Sequence, residues 1–149
     1  MKISTKGRYS LEALLYMALH SGGEYLSTGT TAEATGISEG YLEQLFIPLR
    51  KTGIVRGIRG PKGGYTPGRE LSQITVGDIL RTAEGPLEPA ECVSESFDEN
   101  KTCPMSAECP SRGIWMELYR EIKNCVDSIT LADLAEAYQA MDNKAETAE

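Results

Sequence analysis

The feature that most constrains this chain is a punctuated run in its first half. A short polar stretch, Ser27 to Thr35, leads into Gly36-Ile37-Ser38, and a strongly helical run from Glu39 to Lys51 follows. Gly36 can adopt the left-handed conformation that ends a helix, and the Ser38 hydroxyl can accept a backbone N–H from the first turn of the next helix. Helix, glycine turn, serine cap and helix, in that order, form the signature of a helix-turn-helix. In the second helix Leu42, Leu45, Phe46 and Leu49 make an inward stripe, leaving Glu39, Tyr41, Glu43, Gln44 and Arg50 on other faces, where base contacts can be made. The helix before the turn is the weaker element, because Gly29, Thr30, Thr31 and Thr35 all have low helix propensity. Its context places it.

Gly53 reads as a helix stop. Beyond it, Ile54-Val55-Arg56 and Tyr65-Thr66 flank the tip Gly57-Ile58-Arg59-Gly60-Pro61-Lys62-Gly63-Gly64. Branched and aromatic residues on either side of a Gly/Pro-rich segment predict a β-hairpin. A hairpin after a helix-turn-helix is a wing, and Arg59 and Lys62 at its tip are placed to meet phosphates or a minor groove. Ahead of both motifs, Leu11, Leu14, Leu15, Ala18 and Leu19 form one apolar stripe of a packing helix that Ser21-Gly22-Gly23 ends.

Charge divides the chain. Residues 1–69 hold nine Lys/Arg against five Asp/Glu, a balance of +4, whereas residues 70–149 hold six against seventeen, a balance of −11. The total of −7 therefore conceals a basic module suited to a polyanion and an acidic module with another task. With 149 residues, 40% of them hydrophobic and 7% aromatic, one core and an appendage are expected rather than two cores. The basic N-terminus followed by Leu11 to Leu19 fails as a secretory signal, since Glu12 interrupts it and no small-residue cleavage site follows. No run approaches the roughly 18 apolar residues of a membrane span. The expected compartment is the cytoplasm, without membrane association, where four cysteines point to metal or redox chemistry more than to disulfides.

In the acidic half, Thr75 with Asp78 and Thr130 with Asp133 read as two capping boxes, and Ile74 can staple to Ile79. Between Gly85 and Pro110 runs a Pro-, Glu-, Ser- and Cys-containing loop too long to be an idle connection. Trp115, Leu118, Ile122, Cys125 and Ile129 then step by 3, 4, 3 and 4 along a helix from about Ser111 to Asp127. Such a seam requires a partner helix, and the same helix of a second subunit is the natural one. Cys125 lies on that seam as a small apolar residue, and His20, the sole histidine, as a helix-end residue.

The fold class expected is mainly α with a small β wing: a winged helix-turn-helix over residues 1–84, a cysteine-containing sensor loop over 85–110, and a dimerisation helix with a C-terminal helix and tail over 111–149. Three stretches also resemble a known family: Ser4-Thr5-Lys6-Gly7-Arg8-Tyr9, Gly36-Ile37-Ser38 with Tyr41-Leu42-Glu43-Gln44-Leu45-Phe46, and Arg59-Gly60-Pro61-Lys62-Gly63-Gly64-Tyr65. Together with Ile129-Thr130-Leu131 they are similar to the Rrf2 family of bacterial transcription regulators, of the IscR, NsrR and CymR kinds, from Met1 to about Met141. The resemblance implies a dimer that binds a palindromic operator in double-stranded DNA. It assigns Ser38, Tyr41, Glu43 and Gln44 to the major groove and Arg59 to the minor groove. Arg50, Lys51 and Lys62 complete the expected DNA-binding set. The chemistry permits this: a carboxylate can accept from cytosine N4, and glutamine can pair with adenine N6 and N7.

Cys92, Cys103 and Cys109 lie in the acidic loop with ten and five residues between them. Thiolates are soft ligands suited to iron–sulfur clusters, and zinc sites usually show tighter pairs. Cluster-binding family members carry three loop cysteines in this order, which implies an iron–sulfur cluster here, 2Fe–2S in preference to 4Fe–4S. Arg112 stands where IscR-like members place a histidine ligand, and Arg8 where NsrR-like members place an aspartate. The fourth ligand stays open among Glu91, Glu108, Glu12, a water and a small thiol. The alternative is a metal-free switch in which two loop cysteines oxidise to a disulfide; control by a protein partner, as in CymR, is a third mode. No nucleophile–base pair, phosphate loop or catalytic carboxylate pair stands out, so no enzyme is expected and no catalytic residue is assigned.

Overall fold

The computed structural model describes residues 1–98 and 103–148. Helix α1 (Thr5–His20) is followed by α2 (Thr28–Thr35), α3 (Glu39–Lys51), the strands β1 (Val55–Ile58) and β2 (Gly64–Pro67), α4 (Val76–Glu84), α5 (Arg112–Ser128) and α6 (Leu131–Thr147). Single 3₁₀ turns lie at Leu71–Gln73 and Glu91–Val93. The architecture is mainly helical with one antiparallel hairpin, as the punctuation of the sequence predicts.

Local chemistry sets the element ends. Ser27 caps α2 by accepting from Thr30 N–H at 3.0 Å, which gives this low-propensity helix its start. Gly36 ends it at φ 72°, and Ser38 then caps α3 through Tyr41 N–H at 3.3 Å. Both capping boxes are present, and Ile74 and Ile79, the staple across the first, are fully buried. The two boxes also pair with each other: Val76 N–H donates to Ile129 C=O at 2.9 Å and Leu131 N–H to Ile74 C=O at 2.8 Å. Sequence separates them by more than fifty residues, and the fold ties the start of α6 to the start of α4.

The core gathers Ala13, Leu14 and Met17 of α1, Leu42, Phe46 and Leu49 of α3, Ile54, Val55, Ile74, Ile79 and Leu131. Burying each of the larger side chains contributes roughly 1.5–3 kcal/mol. The inward face of α1 is rotated from the stripe expected: Ala13, Leu14 and Met17 are buried, whereas Leu11, Leu15 and Ala18 pack half-buried at the margin. The reason is that α1 is enclosed by α2, α3, α4 and α6, so it buries more than one stripe. The hairpin strands also reach further into the tip than expected, with Ile58 opposite Gly64. Helix α5 buries no residue and keeps Trp115 and Leu118 exposed at 38% and 39%. It is held to α4 at one end by an Arg81–Asp127 ion pair at 2.8 Å.

Between α1 and α4, Glu84 Oε1 accepts from Ser4 N–H at 2.8 Å, Ser4 Oγ at 2.6 Å and Gly7 N–H at 2.9 Å. The Ser4 hydroxyl first, then the Gly7 and Ser4 N–H groups and the Lys6 charge, hold its carboxyl below the usual carboxylate range. A lowered folded-state value means that the stabilisation is full above the ordinary carboxylate pKa and is lost as pH falls through the lowered one. Glu84→Gln is therefore expected to melt below the parent at neutral pH, with the gap closing on acidification. A gap independent of pH would show that these contacts do not depend on the ionised carboxylate.

Candidate nucleic-acid interface

The polar face of α3 divides into two flanks. On one, Glu39, Glu43, Ile47 and Arg50 line an open cleft of about 540 Å³ whose other wall is Thr28 at the start of α2 and Ile58, Arg59 and Tyr65 of the hairpin. On the other, Tyr41 and Gln44 face Lys6 of α1 across a smaller groove. Tyr41 is half-buried and meets Tyr9 edge to face, with ring centroids 6.0 Å apart. Ser38, at the helix N-cap, is exposed, as is Lys51 at the C-terminal end. Lys62 lies on the far side of the hairpin tip, beside Glu24, Tyr25 and Leu26. The structure thus brings Glu43, Arg50 and Arg59 into one cleft, and places Tyr41 with Gln44, Lys51 and Lys62 outside it.

Sequence reading missed four residues here. Ile47 and Ile58 are large apolar side chains left 47% and 48% exposed in the cleft. Ile47 was detectable as the aliphatic residue between Glu43 and Arg50 on a polar helix face. Thr28 and Tyr65 were missed because each acts through Glu43: Thr28 Oγ donates to Oε1 at 2.9 Å and the Tyr65 hydroxyl donates to Oε2 at 2.8 Å. Burial pushes the Tyr65 phenol up, and the Glu43 carboxylate raises it further, while the Arg50 and Arg59 charges oppose.

The loop cysteines are all free thiols, and each is half-buried. Cys92 sits in the 3₁₀ turn, Cys103 opens a turn closed by Ser106 N–H at 3.2 Å, and Cys109 lies just before α5. The Cys109 sulfur is 3.3 Å from Ser111 Oγ. That hydroxyl first, then the Ser111 and Arg112 N–H groups and the Arg112 charge, hold its thiol below the ordinary range. The donor chemistry suits an iron–sulfur cluster. Among the described residues, however, no three His, Cys, Asp or Glu side chains are gathered closely enough to hold a metal, so ligation requires the loop to draw together. Arg112 lies over the Phe97 ring at 4.9 Å. Cys125 is exposed on α5, and His20 stacks on Tyr16 at the end of α1 with ring centroids 4.4 Å apart.

A model of the Rrf2 family, described as "Iron-dependent Transcriptional regulator", matches residues 3–137. The chain belongs to this family. Among Rrf2 relatives, the transcriptional regulator CymR of Bacillus subtilis is 42% identical over 135 residues, which cover 91% of this chain and 90% of that protein. The regulator IscR of Vibrio atlanticus is 34% identical over 142 residues, covering 95% and 79%. The solved structure of B. subtilis CymR, described as the global cysteine regulator of that organism, superposes with a TM-score of 0.74 over 92% of this chain and 98% of that one. That of T. potens IscR gives 0.72 at 38% identity, over 93% and 88%. The chain is thus a winged-helix transcription regulator, and the hairpin is its wing. None of the helices among the described residues is long and apolar enough to cross a membrane.

The wing depends on the space left at Gly57, where an added Cβ would lie 2.8 Å from the Tyr65 ring. Gly57→Ala is expected to cost about 1–3 kcal/mol of stability, as overpacking does, and to weaken DNA binding. Thermal melting and an operator titration check it; a variant indistinguishable from the parent in both would show that the ring has other room.

Proposed function

We propose that this regulator binds a palindromic operator as a homodimer, inserting α3 into the major groove and the wing into the adjacent minor groove. The single observation that carries this reading is the cleft in which Glu43 and Arg50 of α3 face Arg59 of the wing. Ser38, Tyr41, Glu43 and Gln44 make the base contacts, and Arg50, Lys51, Arg59 and Lys62 the phosphate and groove contacts. Guanidinium and ammonium groups displace condensed counterions from the duplex and supply the affinity, whereas the base edges supply the choice of sequence. Residues 1–84 form the DNA-binding unit, 85–110 the sensor loop and 111–149 the dimerisation unit. Ile114, Trp115, Met116 and Leu118 on α5 and Tyr138 and Met141 on α6 are exposed. An apolar surface of that extent needs cover, and the seam Trp115, Leu118, Ile122, Cys125 and Ile129 is shaped for a second α5. A two-fold dimer reads two half-sites about one helical turn of DNA apart. A regulator of this kind acts in the cytoplasm.

Sensing is assigned to Cys92, Cys103 and Cys109 as ligands of an iron–sulfur cluster, with 2Fe–2S preferred. The family's description as iron-dependent and the three soft donors on one loop support this. Bound there, the cluster would supply a redox- and iron-responsive cross-link. The chain's own part is to present three thiols, one already biased toward thiolate by Ser111 and the start of α5. Ordering the loop against α5 can bias the presentation of the two recognition helices by about 1–3 kcal/mol, the usual scale of coupling between sites. A second reading is a metal-free thiol switch. It is favoured by the likeness to CymR, described as a cysteine regulator, and it needs the loop to bring two of its free thiols together.

Anaerobic purification separates the two: brown protein with iron and sulfide supports the cluster, and colourless protein whose DNA binding responds to oxidants supports the switch. In the first case Cys92→Ala, Cys103→Ala and Cys109→Ala are each expected to bleach the visible absorbance, and Cys125→Ala to leave it. Bleaching by Cys125→Ala with one loop variant still coloured would reassign the ligands. Arg59→Ala is expected to reduce the slope of log affinity against log salt by about one unit, because one cationic contact is lost. Unchanged slope and affinity would remove the wing from the interface.

A further inference from the structure

Glu43 is exposed on α3, where a glutamate ordinarily samples several rotamers and holds no fixed direction. Here each of its carboxylate oxygens is held by a different element. Thr28, the first residue of α2, donates to Oε1 at 2.9 Å, and Tyr65, in β2, donates to Oε2 at 2.8 Å. The Tyr65 donor is itself fixed. Its ring packs on Phe46 with centroids 4.5 Å apart, and its backbone exchanges hydrogen bonds with Leu26 at 2.9 and 2.8 Å. Thr28 is placed by the Ser27 cap that starts α2.

We infer that Tyr65 and Thr28 are positioning residues for sequence recognition, holding the Glu43 carboxylate in one orientation before DNA arrives. An ionised carboxylate has about four acceptor positions, so two donors leave about two for the cleft. Both hydroxyl hydrogens are spent on Glu43, and the held group therefore presents acceptors only. It accepts from an exocyclic amino group, such as cytosine N4, and repels the carbonyl oxygens of guanine and thymine. The ordering of a long side chain is then met by the protein fold instead of by the complex. The inference rests on the reading of Glu43 as a base-contacting residue and adds to it the two residues that aim it.

The test uses the full-length regulator in its DNA-binding state. An operator is selected from random duplexes with the parent protein, and dissociation constants are measured for a panel of its single-base-pair variants and for random DNA. Glu43→Ala should flatten the preference at the base pair that Glu43 meets. Tyr65→Phe, which keeps the ring on Phe46, and Thr28→Val should each reduce preference at that same base pair roughly two- to tenfold, the scale of ordering one side chain. Their affinity for random DNA should change by less than that preference does, and Tyr65→Phe added to Glu43→Ala should change nothing further at that base pair. The inference is overturned if Tyr65→Phe and Thr28→Val weaken operator and random DNA alike, since Tyr65 would then only seat the wing. It is equally overturned if they leave the preference intact where Glu43→Ala flattens it, or if the double variant is additive. Should Glu43→Ala leave every preference unchanged, the reading of Glu43 fails and the inference with it, while the salt dependence of Arg59→Ala still reports on the wing.

Discussion

The structure depends on the enclosure of α1. Its buried residues include glycine and serine at positions 7 and 10 as well as Ala13, Leu14 and Met17. Small side chains on the first two turns let α4 approach closely enough for Glu84 to reach the backbone of residues 4 and 7. The larger ones further along meet the core side chains of α3 and the residues leading into the wing. The taper from small to large along one helix sets how α2 and α3, the hairpin and the acidic half are stacked. Such packing is specific because protein interiors tolerate little change in volume.

Much of this was legible in the residues themselves because the signals are local. Gly36 and Ser38 mark the turn between α2 and α3 by their own backbone and hydroxyl chemistry, and Thr75 with Asp78 and Thr130 with Asp133 mark two helix starts in the same way. The face of α1 was misjudged by about one residue, since a helix surrounded on several sides has no single stripe for periodicity to find. The partners of Glu43 were out of reach for a different reason. They lie 15 residues before it and 22 after it, and only the tertiary arrangement brings their hydroxyls together. The cysteines show the same division. Their number and order are properties of the sequence, whereas whether three sulfurs meet depends on a loop whose buried anchors among the described residues are Leu87 and Ser106.

The uneven charge of the chain acquires a spatial meaning in the fold. Arg50 and Arg59 face one cleft, while the acidic residues that follow Arg69 are distributed over α4, the loop, α5 and α6. The net positive charge of residues 1–69 attracts a polyanion, and the net negative charge of residues 70–149 repels one. Glu39 and Glu43 are anions within that same cleft. The two oxygens of Glu43 accept from the Thr28 and Tyr65 hydroxyls.

The pairing of the two capping boxes has an electrostatic side. Thr75 and Thr130 bridge each other, so the amino ends of α4 and α6 are brought side by side. Each helix end carries the equivalent of roughly half a positive elementary charge from its aligned peptide dipoles. Two such ends in contact repel unless an anion stands at each, and Asp78 and Asp133 occupy those places. Asp133 is held below the usual carboxylate range by the Thr130 N–H and hydroxyl, which keeps it ionised through the neutral range. Each box thus does more than start its own helix: its aspartate stands at a helix end that the bridge between Thr75 and Thr130 sets beside another, so like dipole ends meet with an anion at each.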